Sequence, residues 1–290
     1  MTNKEWLEKF LADCIFRGHS DNTLYAYRGR LAVFLEYIED ITITDIRRAD
    51  ITDFLAELAE RLSASSVCGY ITTLRAFGVF IEAELWDEGW RNVFVTLKYP
   101  KRPQHQPRIL AREEIARMCA HMSRRTASQL RDRALVNLAY ASGLRASEVA
   151  DLLIEDVDLA ERTVHVRHGK GDKERWSFVD ADTAEIVKKW LSVRDRFASS
   201  DSQFLFIGRG CGSLSRQSIY NIVSAAGSRV GIEASPHTLR RSRATHLRED
   251  GAPLDLVQKL LGHSSPTITA QHYVNVDPVL ARQMIEEATA

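Results

Sequence analysis

The sequence predicts a mostly α-helical protein of two domains, the second of which carries one small antiparallel β-sheet. Three observations lead to this fold class. Apolar residues recur at helical spacing along most of the 290 residues. Two short segments, Thr163–Arg167 and Arg175–Val179, alternate in polarity as strands do. A stretch at 99–108 holds three of the seven prolines, and proline disfavours helix in itself and in the preceding residue. We therefore predict domains at 1–98 and 109–290, joined by an extended linker.

Four helices are predicted in the first domain, enough for a small bundle. They are Trp6–Ile15, Thr23–Ile38, Thr52–Leu62 and Ser63–Ile81. Asp50 or Thr52 is the expected N-cap of the third helix.

The second domain is predicted to surround a hairpin with helices. The helices are Arg112–Met122, Leu130–Ala141, Ala146–Leu152, Ala181–Phe197, Arg216–Val230, Leu239–Glu249, Leu254–Leu261 and Val279–Ala288. The two strands flank residues 169–172, Gly-Lys-Gly-Asp, which are typical of a hairpin turn.

Composition excludes several classes of protein. With 44% hydrophobic and 27% charged residues, the chain is expected to fold rather than stay disordered. No apolar run approaches the roughly 18 residues of a membrane span, and the N-terminus begins an amphipathic helix rather than a signal peptide. The four cysteines form no CxxC pair, so neither a zinc site nor a disulfide framework is predicted. We expect a cytoplasmic protein with reduced thiols.

The formal net charge of zero conceals two unlike halves. Residues 1–100 hold 11 Lys and Arg against 16 Asp and Glu, and subtraction from the 39 of each leaves 28 and 23 in residues 101–290. The basic excess lies in the linker and second domain, and affinity for a charged partner depends on the local face rather than the total charge. An anionic partner is therefore expected to meet the first domain through a narrow basic strip.

Four short segments of the second domain concentrate residues suited to phosphate chemistry. They contain Arg145 with Glu148, Lys170, His237 with Arg240, and His263 followed by Tyr273. Singly, each has an ordinary structural explanation, such as a surface ion pair, a solvated lysine at a turn or a capped histidine. Pro236 marks a helix N-terminus, where free N–H groups attract anions.

Together, in order and spacing, these segments resemble the tyrosine recombinases, also called the phage integrase family. The length of the chain and the sequences of these motifs are similar to those of Xer-type resolvases and transposon-encoded integrases. The family set is Arg, Lys, His-x-x-Arg, His or Trp, and Tyr. It falls here on Arg145, Lys170, His237, Arg240, His263 and Tyr273, with Glu148 as the acidic residue that often follows the first arginine. The resemblance covers most of the chain and implies an N-terminal four-helix core-binding (SAM-like) domain before the catalytic domain.

For two roles in the family set, the nucleophile and the hairpin lysine, a second residue is also a candidate. Tyr273 follows His263 by ten residues, whereas nine is usual in the family, and His272 stands at the ninth position. Imidazole is not the nucleophile of this family, so Tyr273 keeps the role. Lys173 competes with Lys170, which is preferred because its flanking glycines permit a tight turn.

The resemblance implies a site-specific DNA recombinase that works without ATP, metal or other cofactor. Tyr273 would attack a phosphodiester and form a 3′-phosphotyrosine. Arg145 and Arg240 would bind the non-bridging oxygens. Lys170 would protonate the departing 5′ oxygen. The spacing of acidic residues and histidines indicates no metal site.

Two further roles follow from the resemblance, together with a set of lower-ranked contacts. His237 would assist proton transfer at the tyrosine, and His263 would hydrogen-bond the phosphate. Candidate DNA contacts in the first domain, where a solvated helix face is the alternative, are Arg28, Arg30, Tyr70 and Arg75. In the second domain they are Arg216, Arg241 and Arg243, of which Arg241 and Arg243 are preferred because they flank the His-x-x-Arg pair.

The expected partners are double-stranded DNA with specific recombination sites and further copies of the chain. The helix at Val279–Ala288 is expected to dock on a neighbouring protomer and close a homo-tetramer, although docking on its own domain is the alternative. No membrane partner is expected. The other functions considered are a catalytically inactive DNA-binding accessory protein and a type IB topoisomerase. Resolution, integration and excision remain open as the biological role.

Overall fold

The computed structural model describes residues 1–39, 41–101, 108–167, 174–197, 202–208 and 212–262. The chain divides into two compact units, Met1–His105 and Gln106–Ala290. This division falls inside the stretch expected to be a linker, while the finer domain bounds stay a prediction. The first unit is helical, and the second combines helices with one small sheet, so the predicted fold class is confirmed.

Four helices build the first unit. They are α1 (Asn3–Phe16), α2 (Asp21–Ile38), α3 (Arg48–Arg61) and α4 (Ala64–Glu84). The hydroxyls of Thr2, Ser20 and Ser63 cap α1, α2 and α4, each accepting a backbone N–H of the first turn.

The start of α3 differs from the prediction. The helix begins at Arg48, so the expected N-cap at Asp50 or Thr52 is wrong, because both residues lie inside it. The Asp50 carboxylate accepts the backbone N–H of Arg47 at 2.9 Å. A carboxylate in the first turn also suits the positive end of the helix dipole.

The core of the first unit lies where the helices meet. Leu31, Phe34, Ile51 and Phe77 are fully buried. Phe34 packs edge-on against Phe54, with 5.0 Å between ring centroids, a geometry that aromatic pairs favour. Burial of these apolar stripes stabilises the bundle.

By length and composition, α4 could also cross a membrane, although its sequence is not an unbroken apolar run. An 18-residue window of this helix has a mean hydropathy of 1.3, but half of that window is buried inside the unit. Leu74, Phe77 and Ile81 from α4 belong to the core. The core helix of a folded domain meets the same criterion, so the finding is weak evidence for a span.

The described part of the second unit combines helices with a three-stranded sheet. The helices are α5 (Arg112–Ala120), α6 (Ala127–Ser142), α7 (Ala146–Asp151), α8 (Ala181–Phe197), α9 (Arg216–Ser228), α10 (Pro236–Glu249) and α11 (Leu254–Leu261), and the strands are β1 (Val157–Asp158), β2 (Thr163–Val166) and β3 (Arg175–Phe178). The strand order is β1-β2-β3, and both pairs are antiparallel. Strands β2 and β3 confirm the predicted pair to within one residue. The predicted turn at 169–172 and the helix at Val279–Ala288 lie outside the described residues.

The register of the sheet determines the direction of the β3 side chains. Val164 pairs with Ser177, and both are buried. His165 pairs with Trp176, and their rings stack with centroids 4.5 Å apart. Because side chains alternate along a strand, Arg175 shares the face of Ser177 rather than that of Trp176. Its side chain is accordingly only 9% exposed.

A glycine turn brings the end of α6, the start of α7 and the end of α11 together. Gly143 ends α6 with φ 64°, a conformation that glycine adopts without steric cost. A Cβ at this position would overlap the side chain of Leu261, the last residue of α11. Leu261 lies in a buried cluster with Leu247 of α10 and Phe178 of β3. This packing holds α11 against α10 and β3.

Candidate active site

Arg145 occupies the N-cap position of α7, directly after the glycine turn. Its backbone N–H donates to the Glu148 carboxylate at 2.7 Å, and its guanidinium donates to the other carboxylate oxygen at 2.7 Å. The same guanidinium donates to the Gly262 carbonyl at 2.8 Å. The side chain is 27% exposed, so one side of it is fixed by the protein and the other faces solvent.

Glu148 is the buried carboxylate at the centre of the site, with a side chain that is 2% exposed. Arg175 donates to its two oxygens at 2.8 and 2.6 Å, and Arg240 lies 3.9 Å away. Burial alone would raise the pKa of Glu148, but the hydrogen bonds and charges of Arg175 and Arg145 outweigh burial and lower it. Glu148 therefore stays ionised and acts as an anchor for guanidinium groups.

Arg240 reaches the same place from α10. Its side chain is 5% exposed and donates to the Gly143 carbonyl at 2.8 Å and to the Leu261 carbonyl. Burial, together with the charge of Arg145, lowers the pKa of Arg240 to about 10. The guanidinium is still fully charged at neutral pH.

The last turn of α11 is the point where the three guanidinium groups converge. The carbonyls of residues 260–262 accept hydrogen bonds from Arg175, Arg240 and Arg145, respectively. Carbonyls at a helix C-terminus lack partners inside the helix, and the helix dipole favours cations there. Three cations around the single charge of Glu148 leave two positive charges uncompensated among these four side chains.

His237 stands in the first turn of α10, one turn before Arg240. The Ser235 hydroxyl caps this helix by accepting the Thr238 N–H at 3.1 Å. The imidazole is exposed, yet partial desolvation and the charges of neighbouring arginines, Arg241 first among them, lower the pKa of His237. The ring is therefore neutral at pH 7 and able to accept a proton.

The structure thus brings Arg145, Glu148 and Arg240 together. His237 lies on α10, one turn before Arg240. Lys170, His263 and Tyr273 lie outside the described residues, as do the alternatives Lys173 and His272. In sequence, Lys170 falls between β2 and β3, and His263 directly follows Gly262, whose carbonyl binds Arg145. The catalytic roles of all six residues stay predictions.

Two of the DNA contacts predicted in the first unit have partners within it. Arg28 forms an exposed ion pair with Glu8 at 2.7 Å. Arg30 donates to the Thr73 hydroxyl at 3.2 Å and to the Gly69 carbonyl at 3.3 Å. These bonds orient both guanidinium groups without using all five donors of either one.

The other pair predicted in the first unit is also oriented by its surroundings. Tyr70 is half-buried and packs edge-on against Phe54, with 5.8 Å between ring centroids. Arg75 donates to the Val95 carbonyl at 2.6 Å and lies over the Tyr99 ring. DNA contact by these four residues stays a prediction.

The candidates of the second unit differ in exposure. Arg216 begins α9 and Arg241 lies on α10, and both are exposed. Arg243 lies over the Tyr140 ring, 5.9 Å from its centroid, and burial lowers its pKa. Its buried Nε has no hydrogen-bond partner within the part of the chain that the structure describes. Arg241 is therefore better placed than Arg243 to meet a phosphate.

Sequence reasoning missed Arg175, which interacts with Glu148 as closely as Arg145 does. The available signal was the alternation of β3, which puts Arg175 on the buried side of a strand, where an arginine requires a partner. Across the described residues there is no group of three or more His, Cys, Asp or Glu side chains able to hold a metal ion.

Two family models match consecutive parts of the chain. Residues 7–84 match the model described as phage integrase, N-terminal SAM-like domain, and residues 108–279 match that of the phage integrase family. The chain therefore belongs to the phage integrase family and is a tyrosine recombinase, an enzyme of site-specific DNA recombination.

Curated relatives are similar over nearly the whole length. The tyrosine recombinase XerC of Oceanobacillus iheyensis is 34% identical, with 90% of this chain and 88% of the relative covered. The tyrosine recombinase XerA of Pyrococcus furiosus is 32% identical, with coverages of 98% and 94%. The resemblance stated from the motifs is thereby confirmed.

Solved structures agree on the fold. A crystal structure of XerA recombinase superposes with a TM-score of 0.51 at 26% identity, covering 99% of each chain. XerH recombinase bound to a palindromic difH substrate gives 0.72 at 23% identity, covering 89% of this chain and 77% of that one. A lambda integrase tetramer bound to a Holliday junction gives 0.71 at 19% identity, with coverages of 92% and 76%. At these lower identities the last two show a shared fold.

Proposed function

We propose that this tyrosine recombinase cleaves and rejoins the strands of specific duplex sites through a 3′-phosphotyrosine intermediate, with Tyr273 as the nucleophile. The tyrosine oxygen forms a bond to phosphorus, and the 5′ oxygen leaves with a proton. A 5′ hydroxyl of a second strand then attacks the phosphotyrosine and releases the tyrosine. Each step exchanges one phosphodiester for another, so no ATP, metal or other cofactor is needed.

The convergence of Arg145 and Arg240 on one turn is the observation that carries the proposal. Each guanidinium has five N–H donors, and the hydrogen bonds described above use two of the five on each side chain. The remaining donors suit the non-bridging oxygens of a phosphodiester. The two uncompensated positive charges of the cluster match the negative charge that develops on a pentacoordinate phosphorus.

The proton transfers are assigned to residues beside this cluster. His237 is neutral at pH 7 because partial desolvation and neighbouring cations lower its pKa, so it can accept the tyrosine proton. Lys170 is proposed to protonate the 5′ oxygen, and His263 to hydrogen-bond the phosphate. Both assignments rest on the family motif and on the positions of the two residues in the sequence.

Double-stranded DNA is the proposed partner, held by the two domains at 1–98 and 109–290. Four protomers are proposed to act on two sites, linked by exchange of the helix at Val279–Ala288. A similar lambda integrase is known as a tetramer bound to a Holliday junction, and a similar XerH as a complex with its difH substrate. These relatives support the assembly, and a substrate of this kind supports the predicted cytoplasmic location.

Covalent trapping tests the proposal. Duplexes with randomised arms around a fixed nick are incubated with the protein, separated by denaturing electrophoresis and sequenced from the slow band. We expect a covalent band for the wild type and none for Tyr273→Phe. A band that persists in Tyr273→Phe and is lost in His272→Ala would reassign the nucleophile.

Two further assays separate the other two functions considered. A chain that retards duplexes of the random pool in a native gel without forming a covalent band is an accessory DNA-binding protein. Relaxation of supercoiled plasmid that lacks the selected site would indicate topoisomerase activity.

A further inference from the structure

Arg175 is tied to the same carboxylate and the same helix end as the two arginines of the proposed phosphate site. We infer that Arg175 is a positioning residue of the recombination reaction, which holds Glu148 and the last turn of α11 so that Arg145 meets the scissile phosphate in a fixed orientation. The inference rests on the proposed function, and it adds a role that the family motif does not assign.

The contacts of Arg175 are all directed into the protein. Its Nη1 and Nη2 donate to the two oxygens of Glu148 at 2.8 and 2.6 Å, a bidentate pairing. Its Nε donates to the Leu260 carbonyl at 2.9 Å. With 9% of its side chain exposed, against 27% for Arg145, Arg175 is placed to orient other groups rather than to bind DNA.

Arg175 makes the largest of the contributions that keep Glu148 charged. The charged side chains around it are Arg145 from its own helix, Arg175 from β3 and Arg240 from α10, while α11 contributes backbone carbonyls. Because burial alone would raise the pKa of Glu148, loss of the Arg175 pair would favour the protonated form. A protonated Glu148 offers Arg145 a weaker anchor.

Arg175 connects two parts of the proposed site. It is the first residue of β3. Its guanidinium contacts the helix α7, which Arg145 begins, and the turn that leads to His263. Misplacement of a reacting group by about 1 Å costs on the order of 100-fold in rate, so a residue that fixes several such segments affects catalysis without touching substrate.

The test compares Arg175→Gln and Arg175→Lys with a matched control, Arg167→Gln. Arg167 directly follows β2, the strand paired with β3, and also pairs with a buried carboxylate, that of Asp156, which is 3% exposed. At saturating selected duplex, we expect Arg175→Gln to lower the single-turnover cleavage rate by about 10- to 100-fold. Apparent DNA affinity should change by less than about threefold, because the DNA-facing side chains remain. Arg175→Lys should recover part of the rate, since it restores the charge but not the bidentate pairing.

Two readouts distinguish positioning from a merely structural role. Arg175→Gln should have little further effect in an Arg145→Ala background. Arg175 acts by orienting Arg145, so its effect is lost when the Arg145 guanidinium is absent. The acidic limb of its pH–rate profile, which His237 sets in the wild type, should move to higher pH and become steeper, because Glu148 then also protonates more readily. The control should show neither effect. Full additivity, an unmoved limb, or a rate equal to that of the control would overturn the inference.

A failure of the proposed function gives a result different from a failure of the positioning inference. In that case the wild type gives no Tyr273-dependent band on any duplex, and hydrogen exchange decides the positioning claim. Arg175→Gln should accelerate amide exchange in residues 145–149 and 254–262, whereas Arg167→Gln should not. Unchanged exchange in these two segments would overturn the inference whatever the chemistry of the chain.

Discussion

Replacing Arg240 with Gln should remove most strand cleavage while changing the free energy of unfolding by no more than about 3 kcal/mol. The Arg240 side chain is buried, and its pKa is lowered to about 10. That shift means that the fold disfavours the charged form by about 3 kcal/mol. The penalty holds at every pH below about 10, where Arg240 is charged in both states, and it disappears as the pH rises further. Its hydrogen bonds to the Gly143 and Leu261 carbonyls contribute about 1.5 to 3 kcal/mol each. The two effects oppose each other, so the net change should stay within about 3 kcal/mol.

Cleavage should fall although the variant remains folded. Removal of one positioned donor from a charge-stabilising site costs about 10²- to 10³-fold in rate. The assay is the single-turnover rate of covalent-complex formation on a nicked duplex, with urea unfolding measured on the same preparations. Sulfate, used as a probe of the phosphate site, should raise the melting temperature of the wild type more than that of Arg240→Gln. Cleavage within tenfold of the wild type, or a stability loss above about 4 kcal/mol, would refute this reasoning.

Three further predictions concern single features of the two units. The cleavage rate should fall as the pH drops through a pKa below that of free histidine, because His237 must be neutral; Arg241→Gln should move this limb to higher pH by removing one positive neighbour. Gly143→Ala should lower the free energy of unfolding in urea by about 1 kcal/mol or more, since its φ is 64° and a methyl group would overlap a neighbouring side chain. Gly18→Ala, at φ 73° but in open surroundings, is the milder control. Arg28→Ala should leave stability nearly unchanged, because its ion pair is exposed on both sides; unchanged DNA affinity would remove Arg28 from the DNA-binding surface.

Periodicity predicted much of the fold because it reports which face of an element is buried. The helix α8 was predicted at its observed bounds, Ala181–Phe197, and α11 at Leu254–Leu261. Boundaries that depend on local capping were less accurate, as the start of α3 shows. The strand β1 was missed because two residues are too few to show an alternation.

The motif predicted which residues matter but not how the fold connects them. Arg145 donates to Gly262, 117 residues further along the chain, and no local pattern reports a contact at that separation. The bidentate Arg175–Glu148 pair spans 27 residues and depends on the register of β3. These interactions result from tertiary packing, whereas the order of Arg, His-x-x-Arg and Tyr can be read directly from the sequence.

The covalent intermediate provides the most direct test of the central claim. After trapping on a nicked duplex, the wild-type complex is digested with a protease, and the DNA-linked peptide is identified by mass spectrometry. We predict a single peptide in which Tyr273 carries the 3′-phosphate, and no such peptide from Tyr273→Phe. Attachment at any other residue, or no covalent product from the wild type on any duplex of the random pool, would contradict the proposed mechanism.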